Sequence, residues 1–175
     1  SNQGTAWYGT GFNDASWASG ASKLGYGDPS TTTVGFGPDP NNKYPTTYFR
    51  KSFTVADHTL YGDLELEAIR DDGMIVYLNG VEIWRDHMPS GTVDYDDYAS
   101  GSAIGGADET TWITKLIGNS LVTGTNVVAV EIHQINATSS DLGFDFKLTA
   151  KSAVPAAVDR GPYLQTGTST SVIVK

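Results

Sequence analysis

Two adjacent carboxylates, Asp71 and Asp72, stand directly ahead of Gly73 between two apolar runs. Paired carboxylates can accept sugar hydroxyls or share a calcium ion. An Asp ahead of a glycine can equally bond its own backbone and make a turn. Arg85 and His87 follow, flanking Asp86, and His133-Gln134 closes another apolar run. A guanidinium fork, an imidazole and an amide are the directional groups that fix a polar ligand. His133 shares a strand face with Glu131 and Ala129, which also suits a histidine bonded within the scaffold. Asp141 ends Ser139-Ser140-Asp141, a run that can cap the next strand or reach a ligand. Trp84, Tyr95, Tyr98 and Trp112 offer rings for stacking, and of these Trp84 and Trp112 fall in predicted strands, where core packing is the first expectation. The run Asp94-Tyr-Asp-Asp-Tyr98 lacks the glycine and closing glutamate of an EF-hand. The acid-rich loops carry the oxygen donors a calcium ion needs, at no position that spacing singles out.

Catalytic motifs are missing from this inventory. The sequence has no Gly-x-Ser-x-Gly, no phosphate loop and no His-Glu-x-x-His. Its three histidines, His58, His87 and His133, form no ligand-spaced pair. Cysteine is absent, which excludes thiolate metal sites, disulfides and a cysteine nucleophile. The expectation is a recognition or accessory module, not an enzyme.

Elements that could position these groups are strands. Thr47–Phe53 alternates, and Leu64–Ile69 places Leu64, Leu66 and Ala68 opposite Glu65 and Glu67. Met74–Leu78 and Val81–Trp84 flank Asn79-Gly80, the pair that a type I′ hairpin turn demands. Thr111–Ile117, Asn126–Gln134 and Leu142–Leu148 follow, after a poorly defined first strand near Trp17–Leu24. The only helical turn expected lies at Gly118–Thr123. About eight strands without helices predict an all-β antiparallel sandwich. Its expected core includes Leu66, Val76, Leu78, Val128, Val130, Phe144 and Phe146.

Alternating connections then gather the loops. Asn79-Gly80 and Gly124 belong to one end. Asp72, His87, Gln134 and Asp141 belong to the other, with the long loop from Gly25 to Thr46. The expected site is this second rim: Asp71, Asp72, Arg85, His87, Tyr95, His133, Gln134 and Asp141. On that view Asp72→Ala weakens ligand binding and leaves the fold intact.

The chain has 175 residues, a net charge of −9, 39% apolar and 18% charged residues. That supports one full-sized globule and gives no attraction for nucleic acid or anionic lipid. No stretch is long and apolar enough to span a membrane as a helix. Ser152–Val158, rich in small residues and proline, suggests a linker (151–158), and Thr168–Lys175 alternates like a single strand.

The stretch Arg70-Asp-Asp-Gly-Met-Ile-Val-Tyr-Leu-Asn-Gly-Val-Glu-Ile83 resembles the centre of galactose-binding-domain-like jelly rolls. So does Gly124-Thr-Asn-Val-Val-Ala-Val-Glu-Ile-His-Gln134, and the likeness covers about residues 4–150 of a module expected over 1–150. It implies an eight-stranded jelly roll attached to a secreted, extracellular bacterial protein. Asp159-Arg-Gly-Pro-Tyr-Leu-Gln165 with Ser169-Thr-Ser-Val172 resembles the start of the fibronectin-like domain that precedes purple-acid-phosphatase-type metallophosphoesterases. By that likeness residues 159–175 open a second, truncated domain, and the partner in the parent chain is a phosphoesterase. The expected function is carbohydrate binding, with a glycan as partner. A structural spacer, or an adhesion or assembly domain that binds no sugar, is the alternative.

Overall fold

The computed structural model describes residues 1–153 and, by backbone, 172–174. Strand pairing divides the chain into two sheets, as alternating strands with one apolar face require. One sheet holds β3 (Thr46–Val55), β8 (Gly124–His133), β5 (Gly73–Leu78) and β6 (Val81–Asp86), in that order. The other runs β2 (Thr32–Thr33), β1 (Leu24–Tyr26), β9 (Leu142–Ser152), β4 (Tyr61–Asp71) and β7 (Ile113–Ile117), with β10 (Val172–Val174) also on β9. The result is an all-β jelly-roll-like sandwich. All pairings are antiparallel except the short β1–β2 contact. Helical structure among the described residues is limited to 3-10 turns at Ala6–Tyr8, His58–Leu60 and Gly106–Thr110.

The inner faces follow the alternation. Leu64, Leu66, Ala68, Leu148 and Ala150 meet Met74, Val76, Leu78, Val128, Val130 and Ile132, all buried. Asn79 and Gly80 have φ of +53° and +87°, the left-handed pair the hairpin calls for. Asn79 Nδ2 donates to Asn126 Oδ1 at 2.9 Å and so ties that turn to the start of β8.

Four expectations need correction. Phe146 is only partly buried. It lies on β9 between the part paired with β1, at Leu142–Phe144, and the part paired with β10, at Leu148–Ala150. Among the described residues no strand flanks it on that side. Phe146→Ala is therefore expected to cost roughly 1–2 kcal/mol in urea unfolding, below the ~3–5 of a fully enclosed phenylalanine. A loss above about 3 kcal/mol would show that the gap is closed in solution.

Trp112 is 43% exposed, because β7 begins one residue later. Residues 118–123 form no helical turn. They form an irregular connection, held where Asn119 Nδ2 donates to the carbonyls of His58 and Tyr61. The first strand starts at Leu24, and Trp17 lies in a turn before it. The expected linker and the residues resembling a fibronectin-like start fall mostly outside the described residues. Within them, Val172 pairs with Ala150 and Val174 with Leu148.

Candidate ligand-binding cleft

Loop convergence is set by strand register. Gly73 pairs with His133, His133 with Thr46, Met74 with Asp86, and Asp71 with Gly143. Asp71, Asp72, His87, His133, Gln134 and Asp141 therefore share one end of the sandwich, with Asn79 and Gly124 at the other.

Most of the polar groups at this end are consumed by the scaffold. Asp72 is 1% exposed. Its Oδ1 accepts from Ile104 N and its Oδ2 from Ile135 N, each at 2.8 Å. One carboxylate thereby fastens two loops, so Asp72 is not a free rim residue that can be trimmed at no cost to the fold. Gln134 is buried and its Nε2 donates to Tyr26 Oη at 2.8 Å. His133 is also buried, with Nδ1 2.7 Å from Asp97 O and 3.1 Å from Thr46 Oγ1. Arg70 donates through Nε to Asp86 Oδ2 at 2.5 Å, and exposed His87 leans on the same Asp86 oxygen at 3.0 Å. Burial works against the charge of Asp86, yet Arg70 and His87 outweigh it and hold the carboxyl below its ordinary range.

Acids gather beside this end. Asp28, Glu109 and Asp141 each offer a carboxylate oxygen, all within 4.8 Å of one another. Hard oxygen donors in such a group are what calcium takes, and these residues are the ones that could hold a cation. Burial, then the charges of Asp141 and Asp28, raise the Glu109 carboxyl. Asp71, 2% exposed, is pushed up to about 8, by burial first and then by Asp72 and Asp141. No sequence spacing links positions 28, 109 and 141, so pattern reading reaches Asp141 alone.

An open cavity lies elsewhere, on the outer face of the four-stranded sheet. The loop after β6 folds back over that face, where Met88 and Ala99 bury Ile75. Gly73 permits this approach, since a Cβ there would come within 2.9 Å of Ala99 Cβ and of His87 O. From the other side the Ala6–Tyr8 turn lies on the sheet. Arg50 holds it: NH1 donates to the carbonyls of Trp7 and Gly9, and Nε bonds Asp14 at 2.9 Å. Between the two segments is a cleft of about 510 Å³.

Aromatic rings form much of its wall. Tyr8 stacks on Tyr77 with centroids 4.4 Å apart, Trp7 sits 4.5 Å from Tyr48, and Tyr95 lies 6.3 Å from Tyr48. Glu131, Glu82, Arg85 and Asp94 supply its charges. Tyr77 Oη donates to Glu131 Oε1 at 2.8 Å. Arg85 grips Glu82 with Nε at 2.9 Å and NH2 at 2.7 Å, and its NH1 donates to Pro89 O. Burial, then Glu131, raise the Tyr48 and Tyr77 hydroxyls, so both stay protonated at neutral pH.

Of the eight site residues expected from sequence, Arg85 and Tyr95 line this cleft, while Asp71, Asp72, His133 and Gln134 are shut inside the scaffold. His87 and Asp141 remain at the end of the sandwich. Trp7, Tyr8, Tyr48, Tyr77 and Glu131 escaped the sequence-based set. The available signal was alternation, which puts Tyr48, Glu131 and Tyr77 on the outer side of neighbouring strands. Among the described residues no helix is long and apolar enough to cross a membrane. No family model matches the chain, and no curated protein matches it significantly.

Proposed function

We propose that this chain is a noncatalytic carbohydrate-recognition module of a larger secreted protein, holding a saccharide ring in the cleft on its four-stranded sheet. The observation that carries the reading is the pairing of half-buried tyrosine rings with fixed polar groups in one cavity. A pyranose has apolar C–H faces that pack on aromatic rings, and hydroxyl edges that need directional partners. Tyr8, Tyr48, Tyr77 and Tyr95 meet the first need, and the Glu82–Arg85 pair with Glu131 meets the second. Both oxygens of Glu82 are occupied by Arg85 and one oxygen of Glu131 by Tyr77, so these acids serve as fixed polar partners for hydroxyl groups. The resemblance of the tail to a phosphoesterase's leading domain makes the parent, on this reading, a secreted phosphoesterase brought to glycan-bearing material.

Screening the purified protein on a broad glycan array, followed by calorimetry on the best hit, tests the proposal. Tyr95→Ala and Tyr8→Ala should each weaken binding about tenfold, the worth of roughly 1.4 kcal/mol of ring contact. No hit with or without calcium would favour a spacer. A hit indifferent to both substitutions would place the site off this face.

A further inference from the structure

The charges of the cleft do not balance. Glu131 stands on β8, is 5% exposed, and faces the cavity. One oxygen accepts from Tyr77 Oη; the other lies 3.5 Å from His133 Nε2, which makes no hydrogen bond. Asp97 O, 2.7 Å from His133 Nδ1, can only accept, so Nδ1 donates to it. The lining sets three carboxyl groups, Glu82, Asp94 and Glu131, against one guanidinium. Arg85 is the cation of the lining, and each of its guanidinium nitrogens is already engaged by Glu82 or by Pro89 O. An acid-rich lining whose one guanidinium is already engaged favours a ligand that brings a positive group of its own. The tyrosine faces around Glu131 present negative π-density, which also favours a cation.

Resting on the saccharide reading above, we infer that the cleft selects a sugar ring bearing a free ammonium group, which pairs with Glu131. An N-acetylated ring of the same shape presents a neutral amide there and leaves the carboxylate unmatched. The titratable and charged groups around Glu131 are Tyr48 on β3, Tyr77 on β5, Glu82 and Arg85 on β6, His133 on β8 itself, and Asp94 and Tyr95 of the covering loop.

Calorimetry of the intact protein with two glucosamine oligosaccharides, one fully de-N-acetylated and one fully N-acetylated, tests this. At pH 6 the amino form should bind at least tenfold more tightly. Glu131→Gln, which keeps the shape and the Tyr77 contact, should bring the ratio close to one. Asp63→Asn, which removes one exposed charge from β4, should preserve it, separating local pairing from overall acidity. The unaltered protein supplies a second measurement: raising the pH until the sugar amine is neutral should erase the preference. Equal binding of the two sugars, or a preference that survives Glu131→Gln, overturns the ammonium pairing and leaves the saccharide reading standing. Binding of neither sugar overturns both.

Discussion

Asp72→Ala is expected to lose about 4 kcal/mol of folding stability, read from urea unfolding at pH 6. Hydrogen bonds to an ionised acceptor contribute roughly 1.5–3 kcal/mol each, and Asp72 makes two, to Ile104 N and Ile135 N. Alanine removes both and leaves two amide groups to find new partners near the core. The loop carrying Tyr95 and the loop after β8 lose a shared anchor together, so proteolysis should begin in both. Asp72→Asn retains one acceptor oxygen and should recover about half of the loss. A midpoint for Asp72→Ala that matches the parent's would refute this anchoring role.

Raising the pH from 5 to 8 should itself cost about 3 kcal/mol. The Asp71 carboxyl is pushed up to about 8 in the folded chain, by burial and then by Asp72 and Asp141, while an unfolded aspartate titrates near ~3.9. Between those values the folded state keeps a proton that the unfolded state has released. The folded state binds more protons, so stability falls as pH rises. A full proton difference is worth about 1.4 kcal/mol per pH unit; sharing among neighbouring acids reduces the sum. Asp57, Glu65 and Asp86, held below their ordinary values, act in the opposite sense, and only below about pH 4. Asp71→Asn should flatten the profile between pH 5 and 8. Calcium taken by Asp28, Glu109 and Asp141 would offset the repulsion and restore part of the stability at pH 8. Identical melting at pH 8 in calcium and in chelator would exclude that corner as a cation site.

Much of the scaffold is legible because strand alternation and turn chemistry are local. Leu64, Leu66 and Ala68 all face the core as alternation dictates, and Asn79-Gly80 makes its hairpin. The gathering of Asp72, Gln134 and Asp141 at one end follows from counting strands. The fate of their side chains does not. A carboxylate beside a glycine looks the same in sequence whether it awaits a ligand or receives two amides from loops 32 and 63 residues away. The cleft was hidden for a related reason. Part of its wall is the Ala6–Tyr8 turn, a segment without periodicity that is placed by Arg50, more than 40 residues downstream. Trp112 shows the limit of alternation itself, since the pattern of Thr111–Ile117 cannot say at which residue pairing with β4 begins.

The position of Trp7 beneath the cleft has an optical consequence. Trp7 and Trp84 are buried, at 1% and 7% exposure, whereas Trp17 is partly exposed and Trp112 is 43% exposed. Trp7 lies against Tyr8, Tyr48 and Tyr77, the rings a ligand would cover, while Trp84 belongs to the interior of the sandwich. Iodide quenching should therefore remove the emission of Trp112 first and leave a blue-shifted component from the enclosed indoles. Filling the cleft changes the surroundings of Trp7 and leaves those of Trp84 as they were. The difference between parent and Trp7→Phe spectra then becomes an unlabelled reporter of occupancy, readable in an ordinary fluorimeter.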